Sequence, residues 1–198
     1  MGEIIRMIVV LSLITGIAGG ALANLKSFTD PLIEKQLLIY VQSPAVESIY
    51  TVGKDQKLYD QDPIDNMKKF DVPGMEDQLK VFPAIKNGEL QAVAFETSAG
   101  GYGGDVGVMV GFKPDGETLA GIGITTLKET PGLGMRITES SYTEQFRNVP
   151  VSGAKLAASG GDIDAISGAT ISSAATVNAV QKAKDIYAQI EDQLKQAW

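Results

Sequence analysis

Residues 105–127 read DVGVMVGFKPDGETLAGIGITTL. The first eight, Asp105 to Phe112, are valine-rich and free of helix signals, as a buried strand is. Lys113-Pro114-Asp115-Gly116 carries the chemistry of a hairpin turn. Proline presets φ, aspartate folds its carboxylate onto the next amides, and glycine accepts positive φ. Thr118 to Leu127 is then the return strand, and its glycines predict that another part of the chain lies close against it. Working outward, Gly88 to Thr97 alternates as a strand. Leu90, Ala92, Ala94 and Glu96 fall on one face, with Val93 and Phe95 on the other. Lys80 to Ala84 reads as a further strand, Ser140 to Phe146 as a short helix and Val151 to Leu156 as a strand. Ser173 to Gln196 is a long helix whose buried stripe is Val177, Val180, Ala183, Ile186, Ile190 and Leu194. Hairpin-linked antiparallel strands with helices at both ends predict an α+β fold.

The N-terminus has a different character. Met7 to Leu25 is almost wholly apolar and carries no charge, and at 1.5 Å per residue it can just cross a hydrocarbon core of about 30 Å. Gly16 and Gly20 set a small-xxx-small spacing that permits close contact with another membrane helix. Two readings stand. One is a retained transmembrane anchor. The other is a cleaved signal peptide, with Arg6 as its basic start and Ala21-Leu22-Ala23 as its cleavage box. Both put the rest of the chain outside the cytoplasm. Asp30-Pro31 can cap and open a helix toward Val41, either separate from the membrane helix or continuing it. Residues 42 to 76 read as irregular and charged, with a short extended piece around Ser48 to Val52. The expected parts are an anchor over 1–27, a linker helix and the beginning of the extracytoplasmic domain over 28–87, and a core domain over 88–198.

Composition narrows the chemistry. The formal net charge is -7, so no basic stripe is available to replace counterions and nucleic acid is not a partner. The 198 residues contain no histidine and no cysteine. That excludes haem ligation by those residues, iron–sulfur clusters, Cys- or His-bound zinc, thiol nucleophiles and histidine bases. No metal site is expected. Redox chemistry in such a chain needs an organic cofactor or a partner subunit.

The segment with the most chemical content is Ser167-Gly168-Ala169-Thr170-Ile171-Ser172-Ser173. Gly168 allows a tight turn and Ala169 is small. Thr170 stands at the mouth of the last helix with Ser172 and Ser173 beside it. The first amides of a helix lack intrahelical acceptors and its dipole is positive there, so a phosphate can be held at this point. The other reading is a plain cap, with Ser172 capping a helix that begins at Ser173. Asp162 and Asp164 lie just upstream and would repel a phosphate unless they face away. Glu129-Thr130-Pro131-Gly132-Leu133-Gly134 is a stiff loop, suited either to an ordinary turn or to lying against a flat ring. Tyr102, in Gly101-Tyr102-Gly103-Gly104, can pack on a ligand or on the core. Lys128, Arg136 and Lys155 are the nearest cations to these segments. Trp198 suits a membrane surface, a partner or a frayed terminus.

The SGATISS stretch resembles the S/T-G-A-T-x-S/T motif of the covalent FMN-binding domain family. Two more segments agree in the same order. The Gly101 to Gly104 stretch resembles the family's G-Y-x-G, and residues 129–134 match its E-T-P-G-L-G signature. Together the match covers about residues 88 to 180. Many members have Thr then Ser where this chain has Ser172 then Ser173, and many carry histidine where it has Leu127. The N-terminal helix and overall length are similar to the G subunit of Rnf-type ion-translocating electron-transport complexes. The related C subunit of the sodium-pumping NADH:quinone reductase is usually longer between helix and flavin domain.

The resemblance implies a cofactor, FMN, joined through a phosphoester to Thr170. Ser167, Gly168 and Ala169 would shape the turn, and Ser172 and Ser173 would line the phosphate. Glu129, Thr130, Gly132, Leu133, Gly134 and Tyr102 would lie against the isoalloxazine. It assigns no catalytic acid or base. It implies an electron relay in a cell-membrane complex that oxidises ferredoxin, reduces NAD and moves Na⁺ or H⁺. Partners would be the other membrane subunits and a flavin transferase for maturation. The alternatives are the C-type subunit of the quinone reductase, a free-standing exported FMN-binding protein, and a non-redox membrane-anchored scaffold.

Overall fold

The computed structural model describes residues 2–53 and 56–198, which divide into two units, Met1–Val41 and Gln42–Trp198. In the first unit, helix α1 (Gly2–Leu37) has no buried residues. The helical run that begins with it contains an 18-residue window of mean hydropathy 2.0, long and apolar enough to cross a membrane. Of the two readings of Asp30-Pro31, a fresh start or a continuation of the membrane helix, the structure has the second: α1 runs through Pro31 without a break. Hydroxyls near the proline return to the helix's own carbonyls, Ser27 to Asn24 at 2.9 Å and Thr29 to Leu25 at 3.0 Å. Local side-chain bonds of this kind accompany proline-containing helices.

The second unit is built on a five-stranded antiparallel meander, β3 (Lys68–Phe70), β4 (Leu79–Lys86), β5 (Glu89–Gly100), β6 (Asp105–Phe112) and β7 (Leu119–Thr126), each paired with the next. The β6–β7 turn uses the chemistry read from its sequence. Gly116 has φ 68°, and Asp115 Oδ1 accepts from the amides of Glu117 and Thr118, both at 2.9 Å. A small two-stranded ribbon, β1 (Thr51–Val52) and β2 (Gln56–Lys57), lies outside this sheet.

The sheet is covered on both faces. On one, the long helix α4 (Thr170–Ala197) packs against β5 and β6. Val93, Phe95 and Thr97 share this face, paired across β6 with Phe112, Val110 and Val108. Thr97 Oγ1 donates to the Ala179 carbonyl at 2.9 Å and ties the helix to the strand. All six residues of the expected α4 stripe are buried. On the other face lies helix α2 (Ser43–Tyr50), which buries Ala45, Val46, Ile49 and Tyr50. A side chain on Gly111 would strike Ile49 Cγ2 at 2.5 Å, and one on Gly123 would meet Ala45 Cβ at 3.0 Å. The glycines of the hairpin are thus the seat of a helix.

α2 replaces the extended piece expected around Ser48 to Val52, of which only Thr51–Val52 is strand. Two more elements differ from expectation. Val151–Gly153 is a single 3₁₀ turn in place of a strand over Val151 to Leu156. The last helix starts at Thr170, three residues before the expected Ser173. The short helix appears as α3 (Ser140–Thr143) followed by a 3₁₀ turn, Glu144–Phe146. Trp198 is not frayed: its ring lies 5.7 Å from that of Phe70, and Lys68 Nζ sits 4.7 Å above it.

Candidate functional site

Three loops meet beside the N-terminus of α4. The first is the β5–β6 connection, where Gly101 N donates to the Gly104 carbonyl at 2.9 Å and closes a tight turn that presents Tyr102. The second follows β7. There the amides of Leu133 and Met135 both turn back to the Thr130 carbonyl, at 3.2 and 3.3 Å, and the chain passes into a 3₁₀ turn, Gly134–Thr138. The third is the turn before α4. Ala169 N donates to Ile166 O at 2.9 Å, and Gly168 takes φ 82°, a left-handed conformation that glycine adopts without strain.

Glu129 joins the first two loops. It is 7% exposed, and its Oε1 accepts from Tyr102 N at 2.8 Å and Gly103 N at 3.4 Å. The glycines are dictated by this closeness. A side chain on Gly101 would overlap Glu129 Oε1, and one on Gly103 would overlap the Lys128 carbonyl. A Cβ on Gly134 would stand 2.7 Å from Glu129 Oε2 and 2.9 Å from Ser172 Oγ. One on Gly168 would be 2.9 Å from Leu133 Cδ1.

Between the loops is a cavity of about 460 Å³, lined by Tyr102, Glu129, Thr130, Leu133, Gly134, Gly168, Ala169, Thr170, Ile171 and Ser172. That size falls in the usual range for small-molecule and cofactor sites. Nine of the twelve residues expected at the site line it. Ser167, Gly132 and Ser173 do not. Ser173 is fully buried, its hydroxyl donating to Ala169 O at 3.0 Å and accepting from Ile166 N at 3.1 Å. It braces the turn from behind. Ile171, the lining residue that the sequence reading passed over, is 54% exposed. Its one sequence signal was an apolar side chain between two hydroxyls in the first turn of a helix.

Polar groups gather at one end of the cavity. The N-cap of α4 is Ala169, which offers no side-chain cap. The first amides of the helix are therefore open to an external acceptor. Ser172 does not cap this helix; it belongs to its first turn. Ser172 is 2% exposed, yet among the described residues its hydroxyl has no hydrogen-bond partner. Tyr102, Leu133 and Ile171 supply apolar surface, at 73%, 43% and 54% exposure. The donor set fits a phosphate at the helix end and a flat apolar ring against the loops. The cations expected nearby stand elsewhere. Arg136 pairs with Glu139 at 3.2 Å, and neither Lys128 nor Lys155 lines the cavity. Asp162 and Asp164 do not line it either. Asp162 Oδ2 packs on Gly153, and Asp164 N donates to Gln145 Oε1 at 2.7 Å.

The model of the FMN-binding domain family matches residues 101–185, which include all three loops. Over 183 residues the chain is 31% identical to the G subunit of the ion-translocating oxidoreductase complex of Methanosarcina acetivorans, covering 92% of this chain and 94% of that one. The chain belongs to this G-subunit family. A second G subunit, from Stutzerimonas stutzeri, is 33% identical over 141 residues, which are 67% of this chain and 60% of its own length. Among solved structures, Shewanella oneidensis NqrC aligns over 76% of the chain and 74% of its own, with a TM-score of 0.50 and 20% identity. The two share an α+β architecture, a sheet with a C-terminal helix.

Proposed function

We propose that this chain is the electron-relay subunit of a membrane ion-translocating ferredoxin:NAD oxidoreductase of the Rnf type, with FMN joined to Thr170 by a phosphoester. The observation that carries this reading is the sharing of one cavity by Thr170, the unpartnered Ser172 hydroxyl and the apolar surfaces of Leu133 and Tyr102. Membership of the G-subunit family and the FMN-binding domain match support it.

In this reading Ser172 and the first amides of α4 hold the phosphate, where the helix dipole favours negative charge. Leu133 and Tyr102 give the ring apolar contact, and Thr130 gives its edge a polar one. Gly168 keeps the turn tight so that the Thr170 hydroxyl projects, and Ser173 fixes that turn from inside. Thr170 Oγ1 would carry the flavin phosphate as an ester, with Ser172 and the first α4 amides as the groups that would hold it. A separate flavin transferase makes that ester in maturation. Bound flavin supplies reversible uptake and release of electrons. The protein residues orient it and leave an edge open to redox partners in neighbouring subunits. α1 is a single-pass anchor, and Gln42–Trp198 lies on the extracytoplasmic side. α1 carries no carboxylate within its apolar stretch, so ion conduction belongs to other subunits.

Intact mass and peptide mapping of the chain from its native membrane test the reading. The expected result is a gain of one FMN less one water on the peptide containing Thr170, absent in Thr170→Ala. An unmodified Thr170 in active membranes would overturn it in favour of an anchored scaffold.

A further inference from the structure

Glu129 is the one charged residue among those lining the cavity. Its Oε1 is occupied by the amides of Tyr102 and Gly103. Its Oε2 is on the same side of Gly134 as Ser172 Oγ: a Cβ placed there would stand 2.7 Å from Oε2 and 2.9 Å from Oγ. The end of the cavity suited to a phosphate therefore contains a buried carboxylate and no arginine or lysine. A site meant to capture a free phosphate monoester is normally built the other way, with cations matching its charge.

We propose that Glu129 is a selectivity residue that rejects the phosphate of free FMN and tolerates the phosphodiester formed on Thr170; this rests on the flavin reading above. The physical difference is charge. A phosphate monoester carries about −1.5 to −2 near neutral pH because its second pKa is near 6. A diester has no second ionisable hydroxyl and carries a single negative charge. The partial positive charge of a helix N-terminus, roughly half an elementary charge, offsets part of one negative charge but not two beside a carboxylate. In a partly desolvated site an extra negative charge near a carboxylate weakens binding by about tenfold or more. The same carboxylate holds the Tyr102 turn in place, so one residue both assembles the cavity and sets which charge state it accepts. Tethering then does what affinity for the phosphate does not.

The test uses the full chain carrying Thr170→Ala, which cannot be flavinylated, with FMN and riboflavin as probes of fluorescence quenching. Adding Glu129→Gln keeps an amide oxygen to accept from Tyr102 and Gly103 while removing the charge. The expected result is about tenfold tighter FMN binding in the double variant, with riboflavin binding changed by less than about twofold. Equal FMN-to-riboflavin preference in the two proteins would overturn the proposal. So would a parallel gain for both ligands, which signals rearrangement and not charge. Should the double variant fail to fold, the Thr170→Ala chain alone decides. It should bind the methyl phosphodiester of FMN about tenfold more tightly than FMN itself, and the reverse order overturns the proposal. Mass mapping of the unsubstituted chain separates this outcome from failure of the flavin reading. A flavinylated Thr170 with no charge preference sinks only the role of Glu129.

Discussion

Replacing Gly103 by alanine tests whether the turn before β6 is held as tightly as its contacts imply. The new Cβ would overlap the Lys128 carbonyl oxygen, stand 3.0 Å from the carbonyl carbon and 3.6 Å from Glu129 Cα. These are main-chain atoms, so no side-chain rotation relieves the overlap. Overpacking of this sort costs about 1–3 kcal/mol. The turn can escape only by moving off Glu129, which forfeits the 2.8 Å bond from Tyr102 N. A hydrogen bond to a charged group contributes about 1.5–3 kcal/mol. The expected loss is therefore about 3 kcal/mol or more. Gly132→Ala is the control, because that residue has φ 74° with nothing within 4 Å of its Cβ position. Its cost is the left-handed backbone alone, about 1–2 kcal/mol. Urea unfolding of the full chain in detergent, followed by fluorescence of its single tryptophan, gives both values. Trp198 packs on Phe70 in the core of the second unit, so it reports unfolding of that unit. A Gly103→Ala cost no greater than that of Gly132→Ala would refute the account of Glu129 as the tie between the two loops.

Ser172→Ala should leave stability within about 0.5 kcal/mol, since no protein bond is lost, while weakening any phosphate-bearing ligand at the α4 terminus. Ser173→Ala should cost about 1–2 kcal/mol, because it strips Ile166 N of its acceptor; urea titrations of the two variants side by side check both values. Arg147→Met should cost about 3 kcal/mol by unclasping α2, whose Ser48 and Ile49 carbonyls accept from the guanidinium at 3.0 and 2.8 Å. The same variant should flatten the acid limb of stability. The Arg147 guanidinium holds the Glu144 carboxyl below its ordinary value of 4.5, so its contribution is present above that value and is lost as pH falls through the lowered one. With the Glu144 side chain 56% exposed, the effect is small, and paired urea titrations at pH 7 and pH 3.5 measure it.

The meander and the long helix were legible because their signals are local. Alternation over Leu90 to Phe95, the proline–aspartate–glycine turn and the stripe from Val177 to Leu194 each fix an element without knowledge of its neighbours. α2 was hidden for the opposite reason. Ser43 to Tyr50 is only two turns long, its polar residues resemble a loop, and the serine-proline start reads equally well as a turn. Its seat on the sheet depends on Gly111 and Gly123, which leave room for Ile49 and Ala45, and on Arg147, which collects its terminal carbonyls. The glycines announced a close neighbour; they did not say that residues 43–50 were that neighbour.

The site divides along the same line. Residue types in the SGATISS turn pointed to a helix terminus able to hold an anion, but three hydroxyls among four residues, Thr170 to Ser173, carry no sign of which way each faces. A helix advances about 100° per residue, so neighbouring hydroxyls meet different surroundings: Ser172 lines the cavity, while Ser173 is buried behind the turn. Starting the helix at Thr170 turns Ser172 toward Gly134 and Ser173 toward Ile166. A start at Ser173 would have assigned Ser172 to capping. The boundary of α4 is thus what separates a cavity-lining hydroxyl from a structural one. That boundary follows from Gly168 and from the bond between Ser173 and Ala169, each read only in three dimensions. Glu129 makes the same point across loops. Its sequence neighbours mark a stiff turn, while its partners, Tyr102 and Gly103, lie 27 and 26 residues away. A carboxylate lining the cavity is a product of that long-range closure.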